Sequence, residues 1–174
     1  MKKAFLIIIL FGFPTLLNAQ AIKFGFFEMN DVLKAKMTLD EIKSSGVPID
    51  SITPVPKIMD MSEADSLVYI GGTYYEYYTN TNICDLNVIR FDNRITKVVF
   101  GEMTFTKETT IEDAKAYFPK DCASAEPIPI YNDPISYTYC SIPLADSKGN
   151  LVDAALLLFF SEGKLKRIDF WEPS

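Results

Sequence analysis

The 174-residue sequence contains no histidine, only three cysteines and a single tryptophan. The absence of histidine excludes the usual triads of serine and cysteine hydrolases, which need an imidazole as general base. It also removes a major zinc ligand, and since no Cys-x-x-Cys pair occurs, we expect no zinc site. No glycine-rich phosphate loop is present. The sequence therefore predicts no catalytic residues, no metal site and no cofactor.

A long apolar run is missing everywhere except near the N-terminus. A short basic start is followed by a largely apolar run over residues 4–17 and then by small residues. This order is typical of a secretory signal peptide, which we assign to residues 1–20, with cleavage near Ala19 or Ala21. A membrane anchor is the alternative, but the run is shorter than the roughly 20 apolar residues of a spanning helix, and Pro14 interrupts it. We therefore predict an exported protein, periplasmic or secreted, with no integral membrane span in the mature chain.

Positive charge is in deficit, because 17 lysines and arginines stand against 23 aspartates and glutamates, for a net charge of −6. Removal of the predicted signal peptide takes away two lysines and no acid, which brings the mature chain to −8. Nucleic acid and anionic membrane surfaces repel an acidic protein, so we expect neither as a partner. The hydrophobic content of 48% is sufficient for a packed core.

One pattern, an apolar run followed by a polar turn and an alternating run, occurs twice. The clearer copy is residues 156–170, where Glu162–Gly163 provides the positive φ of a tight turn. The other copy is residues 86–100, where Asp92–Asn93 is a second pair that tolerates positive φ. Both copies are predicted to be β-hairpins.

Each half also carries a helix signal upstream of its hairpin. Thr38 and Thr110 are each followed three positions later by an acidic residue, Glu41 and Asp113, which predicts a capping box at a helix N-terminus. A proline shortly afterwards ends each predicted helix, and proline-containing extended connections lead on to the strands.

These landmarks recur in the same order, which indicates an internal duplication. We therefore predict an α+β fold of two tandem repeats, each with a short helix packed on an antiparallel β-sheet meander. The first repeat covers residues 21–105 and the second covers residues 106–174, within one compact domain.

Strand alternation divides the predicted sheets into an inner face and an open face. Ile168 and Phe170 are expected to point inward, like Val98 and Phe100 of the first copy. A lone tryptophan beside an arginine has the composition of a binding hot spot, although ordinary packing over the sheet end is the alternative. The residues that we assign to partner binding on the open face are Arg167, Asp169, Trp171, Lys97, Tyr74 and Tyr78.

The three cysteines allow one disulfide at a time, and export would permit it. We predict the pair Cys122–Cys140, because it would tie the end of the second helix to its own sheet. Cys84 is then left free.

Each half has a helix start, at residues 38–41 and 110–113, and a strand that ends apolar-x-apolar, at residues 98–100 and 168–170. This combination resembles the β-lactamase-inhibitor-protein-like fold. The SmpA/OmlA-type module of outer-membrane assembly shares that fold, and the resemblance covers most of residues 38–171. It implies two tandem helix-plus-sheet units and protein binding, commonly through the concave sheet surface. The chain departs from the assembly lipoproteins of this group because it has no lipobox cysteine.

We therefore predict an exported, non-catalytic module that binds a protein partner, itself an exported or envelope protein, through the open sheet face. The alternative is a carrier of a small apolar ligand, in which Tyr74, Tyr78 and Phe159 would line a closed cavity. An enzyme would need carboxylates or tyrosines gathered at a cleft, and the sequence identifies no such set.

Overall fold

A computed structural model describes residues 22–23, 27–59, 62–101, 103–123, 127–130 and 133–172. Antiparallel sheet predominates in these residues and two short helices accompany it, so the predicted α+β class is confirmed. The predicted signal peptide, residues 1–20, lies outside the described part of the chain.

The described residues alternate between strands and two short helices. The strands are β1 (Ile22–Lys23), β2 (Phe27–Met29), β3 (Leu33–Lys34), β4 (Lys36–Thr38), β5 (Ser51–Pro54), β6 (Ser66–Ile70), β7 (Thr73–Tyr78), β8 (Ile83–Arg90), β9 (Lys97–Phe100), β10 (Met103–Thr106), β11 (Pro127–Pro129), β12 (Ser136–Ala145), β13 (Leu151–Ser161) and β14 (Lys164–Trp171). The helices are α1 (Leu39–Ser44) and α2 (Ile111–Tyr117), and a 3₁₀ turn spans Lys57–Met59. Within the described ranges, no helix has the length and apolarity required to cross a bilayer.

Ten of the strands form one large sheet in the order β1-β12-β13-β14-β8-β7-β6-β5, with β11 also paired to β12 and β4 also paired to β8. The sheet contains two four-stranded antiparallel meanders, β5 to β8 and β11 to β14, which join edge to edge where β14 pairs with β8. At the far edge, β1 pairs with β12 in parallel. The remaining four strands form a small sheet in the order β10-β9-β2-β3.

The core lies between the inner faces of the two sheets. Phe27 and Phe100 of the small sheet meet edge to face with ring centroids 4.6 Å apart, and Phe27 also meets Phe170 of the large sheet at 5.3 Å. The helices add Ile42 and Ala114, both fully buried, to the same cluster. Large buried aromatic rings contribute much of the favourable free energy of such a core.

Both predicted capping boxes are confirmed. The Thr38 hydroxyl accepts from the backbone N–H of Glu41 at 3.2 Å, and the Glu41 carboxylate accepts from the N–H of Thr38 at 2.7 Å. Thr110 and Asp113 repeat these bonds at 3.2 and 2.8 Å. Each helix of six or seven residues is thus defined at its start by side chains that satisfy otherwise unpaired backbone groups.

The predicted hairpin over residues 156–170 is confirmed. β13 and β14 pair antiparallel up to Ser161 opposite Lys164. The intervening turn has the expected backbone, with φ of 53° at Glu162 and 73° at Gly163. Positive φ at both residues is the geometry of a type I′ turn. The twist of such a turn matches that of the two strands, so a connection of two residues suffices.

The predicted hairpin over residues 86–100 is wrong. β8 belongs to the large sheet and β9 to the small sheet, and the two strands do not pair. The Asp92 carboxylate accepts instead from the N–H groups of Arg94 at 2.6 Å and Ile95 at 3.1 Å, and from Gly72 at 2.8 Å. These bonds turn the chain away from the large sheet, and Ile95 at the end of the turn is fully buried in the core.

The two-repeat architecture is consequently not confirmed in the predicted form. Residues 97–100 were expected to correspond to residues 167–170, yet they lie in the other sheet. The first two strands of the chain are likewise divided between the sheets, because β1 lies in the large sheet and β2 in the small one.

The predicted disulfide Cys122–Cys140 is confirmed, with a Cα–Cα distance of 4.8 Å. It connects the segment after α2 to β12 and spans a sequence separation of 18 residues. In the chain-entropy view, such a crosslink contributes about 3 kcal/mol of stability. Cys84 on β8 is free, as predicted, and it is buried.

Candidate functional site

The open face of the large sheet, meaning the side turned away from the small sheet, is organised by the pairing of β8 with β14. Ile89 and Ile168 lie opposite each other and are fully buried in the core. Side chains alternate along a strand, so the opposed residues Arg90 and Arg167 point to the open face, and Asp169 does the same. The orientation of β14 therefore follows the alternation that its sequence predicts.

Arg167 and Asp169 form a closed ion pair along β14. The Arg167 Nε and Nη2 atoms donate to the two Asp169 carboxylate oxygens at 2.5 and 2.7 Å. The guanidinium carbon lies 5.8 Å from the centre of the Phe159 ring, within cation–π range. Burial raises the pKa of the Asp169 carboxyl, and its ion pair with Arg167 offsets only part of that effect. These contacts fix the orientation of both side chains on the open face and leave little of either charge exposed.

A chain of hydrogen bonds crosses β7 and β8 on the same face. The Tyr74 hydroxyl donates to Asn87 Oδ1 at 3.0 Å, and Asn87 Nδ2 donates to Glu76 Oε1 at 3.2 Å. The Tyr78 hydroxyl donates to the other Glu76 oxygen at 3.0 Å. Burial and then the charge of Asp169 raise the pKa of Tyr74 to about 12, and burial followed by Glu76 raises the pKa of Tyr78 to about 12. Glu76 is therefore held by neutral donors.

A groove opens on this face where the large sheet forks. β14 pairs with residues 88–90 of β8, whereas β4 pairs with residues 83–85 of the same strand. Between these two paired stretches of β8, the N–H of Leu86 donates to the Ala35 carbonyl at 2.7 Å. At this point β4 and β14 diverge. The groove has a volume of about 880 Å³, which lies near the upper end of the range for ligand pockets.

Carboxylates dominate the charged lining of the groove. Those of Glu63, Glu76, Asp85, Asp169 and Glu172 line it, together with the single lysine Lys36. Lys36 forms an ion pair with Asp85 at 3.1 Å, and Asp169 is already engaged by Arg167. The other three carboxylates form no ion pair with any residue that the structure describes. The groove is consequently acidic.

Trp171 stands on the wall of this groove with 47% of its surface exposed. The preceding residue, Phe170, packs inward against Phe27, which fixes the end of β14 to the core. Leu157 on β13 adds an aliphatic surface to the same groove. The indole is therefore only partly covered by the rest of the chain.

The far end of the open face is covered by the segment that leads into β12. Asp133 accepts from Arg90 Nη2 at 2.9 Å and from the Tyr137 hydroxyl at 2.9 Å. Burial alone would raise the pKa of Asp133, but the bonds from Arg90, the Ile135 N–H and Tyr137 outweigh it and lower that pKa. This network joins β8 to the start of β12 on the open face, away from the residues that line the groove.

Five of the six residues predicted to bind a partner lie on the open face: Arg167, Asp169, Trp171, Tyr74 and Tyr78. Of these, Asp169, Trp171 and Tyr78 line the groove. Lys97 does not join them, because β9 is in the small sheet and the Lys97 ammonium pairs with Asp31 at 2.7 Å. Its assignment depended on the predicted hairpin over residues 86–100, which the chain does not form.

Sequence reasoning missed the acidic character of the site. Glu76 could have been found, because it alternates with Tyr74 and Tyr78 along β7 and shares their face. Asp85 and Glu172 carry no comparable signal, since only the fork between β4 and β14 brings them to one groove.

The residues that the structure describes contain no group of three or more histidine, cysteine, aspartate or glutamate side chains placed to hold a metal ion. No family model matches the chain, and no curated protein or solved structure shows significant similarity to it. The resemblance to the β-lactamase-inhibitor-protein-like fold therefore stays a prediction, and the function has to be argued from the groove itself.

Proposed function

We propose that the protein is an exported, non-catalytic binding module that engages a protein partner through the groove on its open sheet face. The observation that carries this proposal is Trp171, which is half exposed on a wall of the groove. Tryptophan is among the residues that most often dominate binding energy in protein interfaces. Exposing an indole on a rigid strand is unfavourable in an isolated protein and favours a surface that a partner covers.

The surroundings of Trp171 support a preformed surface. The Arg167–Asp169 pair is only 14% and 17% exposed at its side chains, and the chain from Tyr74 to Tyr78 holds the neighbouring strand. A surface fixed in this way loses little conformational entropy when a partner binds.

Export is part of the proposal. The signal-peptide pattern at residues 1–20, with cleavage near Ala19 or Ala21, is the sequence support for it. The Cys122–Cys140 disulfide fits an oxidising compartment, where such bonds persist. A partner that shares this location would be an exported or envelope protein.

We also propose that the chain is a tandem duplication of the kind found in the β-lactamase-inhibitor-protein-like fold. The support is the order of elements, since α1 precedes the meander β5–β8 and α2 precedes the meander β11–β14. In this scheme β8 corresponds to β14, and the two last strands join the halves.

The alternative function, transport of a small apolar ligand, is less favoured by the groove. An apolar ligand would remove water from Glu76 and its acidic neighbours without replacing the lost hydrogen bonds, which costs free energy. Phe159, which was expected to line such a cavity, is instead covered by Arg167 and stacked against Tyr139.

Site-specific photocrosslinking in the native host tests the proposed function. A benzoylphenylalanine at position 171 is expected to crosslink one discrete exported protein. Val32 provides the matched control, because it is 42% exposed but lies in the turn of the small sheet. The same crosslinked species from both positions, or none from position 171, would contradict a partner-binding groove.

A further inference from the structure

We propose that the groove at the fork of the large sheet receives an extended basic segment of the partner, with lysine or arginine side chains directed at its acidic lining. This inference rests on the proposed function, since it specifies the chemistry of the partner at the same groove. It concerns one occupant only, a peptide segment of another protein.

Charge complementarity is the first argument. Five carboxylates and one lysine line the groove, and that lysine is already paired with Asp85. Glu63, Glu76 and Glu172 have no ion-pair partner among the described residues, so the potential in the groove is negative. Clefts lined by charge of one sign focus the field and raise the local concentration of ligands of the opposite sign.

Glu76 is the best placed anchor for a cation. Its two oxygens accept from Asn87 and Tyr78, which are both neutral, and these bonds fix the carboxylate in one orientation. A carboxylate has about four acceptor positions, so each oxygen retains the capacity for a further donor. A lysine or arginine that reaches Glu76 would form a charge-assisted hydrogen bond, which is about twice as strong as a neutral one.

Trp171 and Leu157 complement this anchor. A long basic side chain combines an aliphatic stem with a charged head, and the groove offers apolar and acidic surface side by side. The half-exposed indole can also receive a cation over its face. An extended segment presents alternate side chains to one surface, which suits a groove that runs between two strands.

Charge also argues against other occupants. A second copy of this chain is itself acidic, with a net charge of −6 for the full sequence and −8 without the predicted signal peptide, and would bring like charges together. Nucleic acid and anionic lipid are disfavoured for the same reason.

A defined probe tests the inference with the purified protein. The probe is a fluorescein-labelled decapeptide of alternating lysine and alanine, and the comparison peptide has glutamine in place of lysine. Binding is followed by fluorescence anisotropy, and independently with unlabelled peptide by the emission of Trp171, the only tryptophan in the chain. We expect the basic peptide to bind at least about tenfold more tightly than the glutamine peptide, with affinity falling as salt increases.

Three variants, each of which removes one negative charge, distinguish the effect of the groove on peptide binding from the effect of the protein's net charge. Glu76→Gln and Glu172→Gln alter the groove, whereas Glu28→Gln removes an exposed carboxylate on the small sheet. We expect Glu76→Gln to weaken peptide binding about tenfold, Glu172→Gln by less, and Glu28→Gln by less than twofold. Glu76 is half-buried, so its variant could lose binding through a loss of stability. Glu172→Gln provides a second test of the groove, and its thermal unfolding is expected to be unchanged.

Several results would overturn the inference. These are no peptide binding at about 1 mM, equal binding of the basic and glutamine peptides, or an equal loss in Glu28→Gln and the groove variants. Equal affinity for spermidine would assign the groove to a small polyamine instead of a peptide. A protein that crosslinks to position 171, but is not displaced by the basic peptide, would retain the proposed function and refute this inference alone.

Discussion

Residues 86–100 and 156–170 share one sequence pattern and adopt two different structures. The second stretch forms the β13–β14 hairpin with a two-residue turn, whereas the first leaves the large sheet after β8 and enters the small sheet as β9. Both stretches have buried alternate residues, so hydrophobic patterning is satisfied in either arrangement. The difference teaches that patterning selects strands, while the residues between the strands select the partner of each strand.

The turn residues account for the divergence. Glu162 and Gly163 adopt positive φ, which returns the chain directly into the same sheet. Asp92 accepts three backbone N–H groups, two from its own connection and one from Gly72 in the β6–β7 turn. A short carboxylate can bend the chain in this way without positive φ, so the second strand is free to leave the sheet.

The difference also builds the site. Because β9 leaves, the edge of β8 that a hairpin partner would occupy is shared by β14 and β4, and the groove opens between them. A symmetric pair of hairpins would have no such fork.

The largest effect is expected from breaking the connection at Asp92. Asp92→Ala leaves the N–H groups of Gly72, Arg94 and Ile95 without their acceptor, and we expect a loss of about 2 kcal/mol in the free energy of unfolding. Urea denaturation measures it. Glu162→Ala is the matched control in the β13–β14 turn, because Glu162 makes no side-chain hydrogen bond or ion pair with the residues that the structure describes. A surface change of this kind typically costs no more than about 0.5 kcal/mol. Equal losses in the two variants would contradict the distinction between the turns.

An intermediate effect is expected at the turn of the β13–β14 hairpin. Gly163→Ala places a Cβ atom on a backbone with φ of 73°, where open space surrounds it. The cost is therefore conformational, about 1 kcal/mol, and is read from the same urea transitions. Gly46→Ala, whose φ of 81° is equally positive and equally unobstructed, should behave alike. A neutral Gly163→Ala would show that the turn does not need positive φ.

The smallest effect concerns the helix starts, where the two halves agree. Hydrogen bonds from the backbone and then the hydroxyl of Thr38 lower the pKa of Glu41, and Thr110 does the same for Asp113. A carboxyl whose pKa is lowered by folding stabilises the folded protein at pH values above its unfolded-state pKa, which is near 4. This stability is lost as the pH falls through the folded-state pKa.

Glu41→Gln and Asp113→Asn should each flatten the decline of thermal stability below about pH 4. Glu112→Gln is the control, because that first-turn carboxylate makes no capping bond. An identical flattening in all three variants would indicate a general charge effect and not the caps.

Part of the candidate site could be read from the sequence because it depends on a single strand. The period of two along β14 places Ile168 inward and Arg167, Asp169 and Trp171 outward, whatever the neighbours of the strand. The predicted place of Lys97 on the same face is wrong, because it depended on which sheet β9 joins. Two edge strands, β5 and β11, also arose within segments predicted as connections; their prolines are tolerated at a sheet edge.

The sequence by itself determined the local features of this protein: both capping boxes, the Glu162–Gly163 hairpin and the alternation of β14. Each depends on contacts between residues a few positions apart, so the identities of those residues are sufficient. Only the tertiary structure decided the departure of β9, the pairing of β8 with β14 and the acidic fork that results. Those features join residues far apart in the chain, and their choice depends on the competition between whole strands for a place in the core.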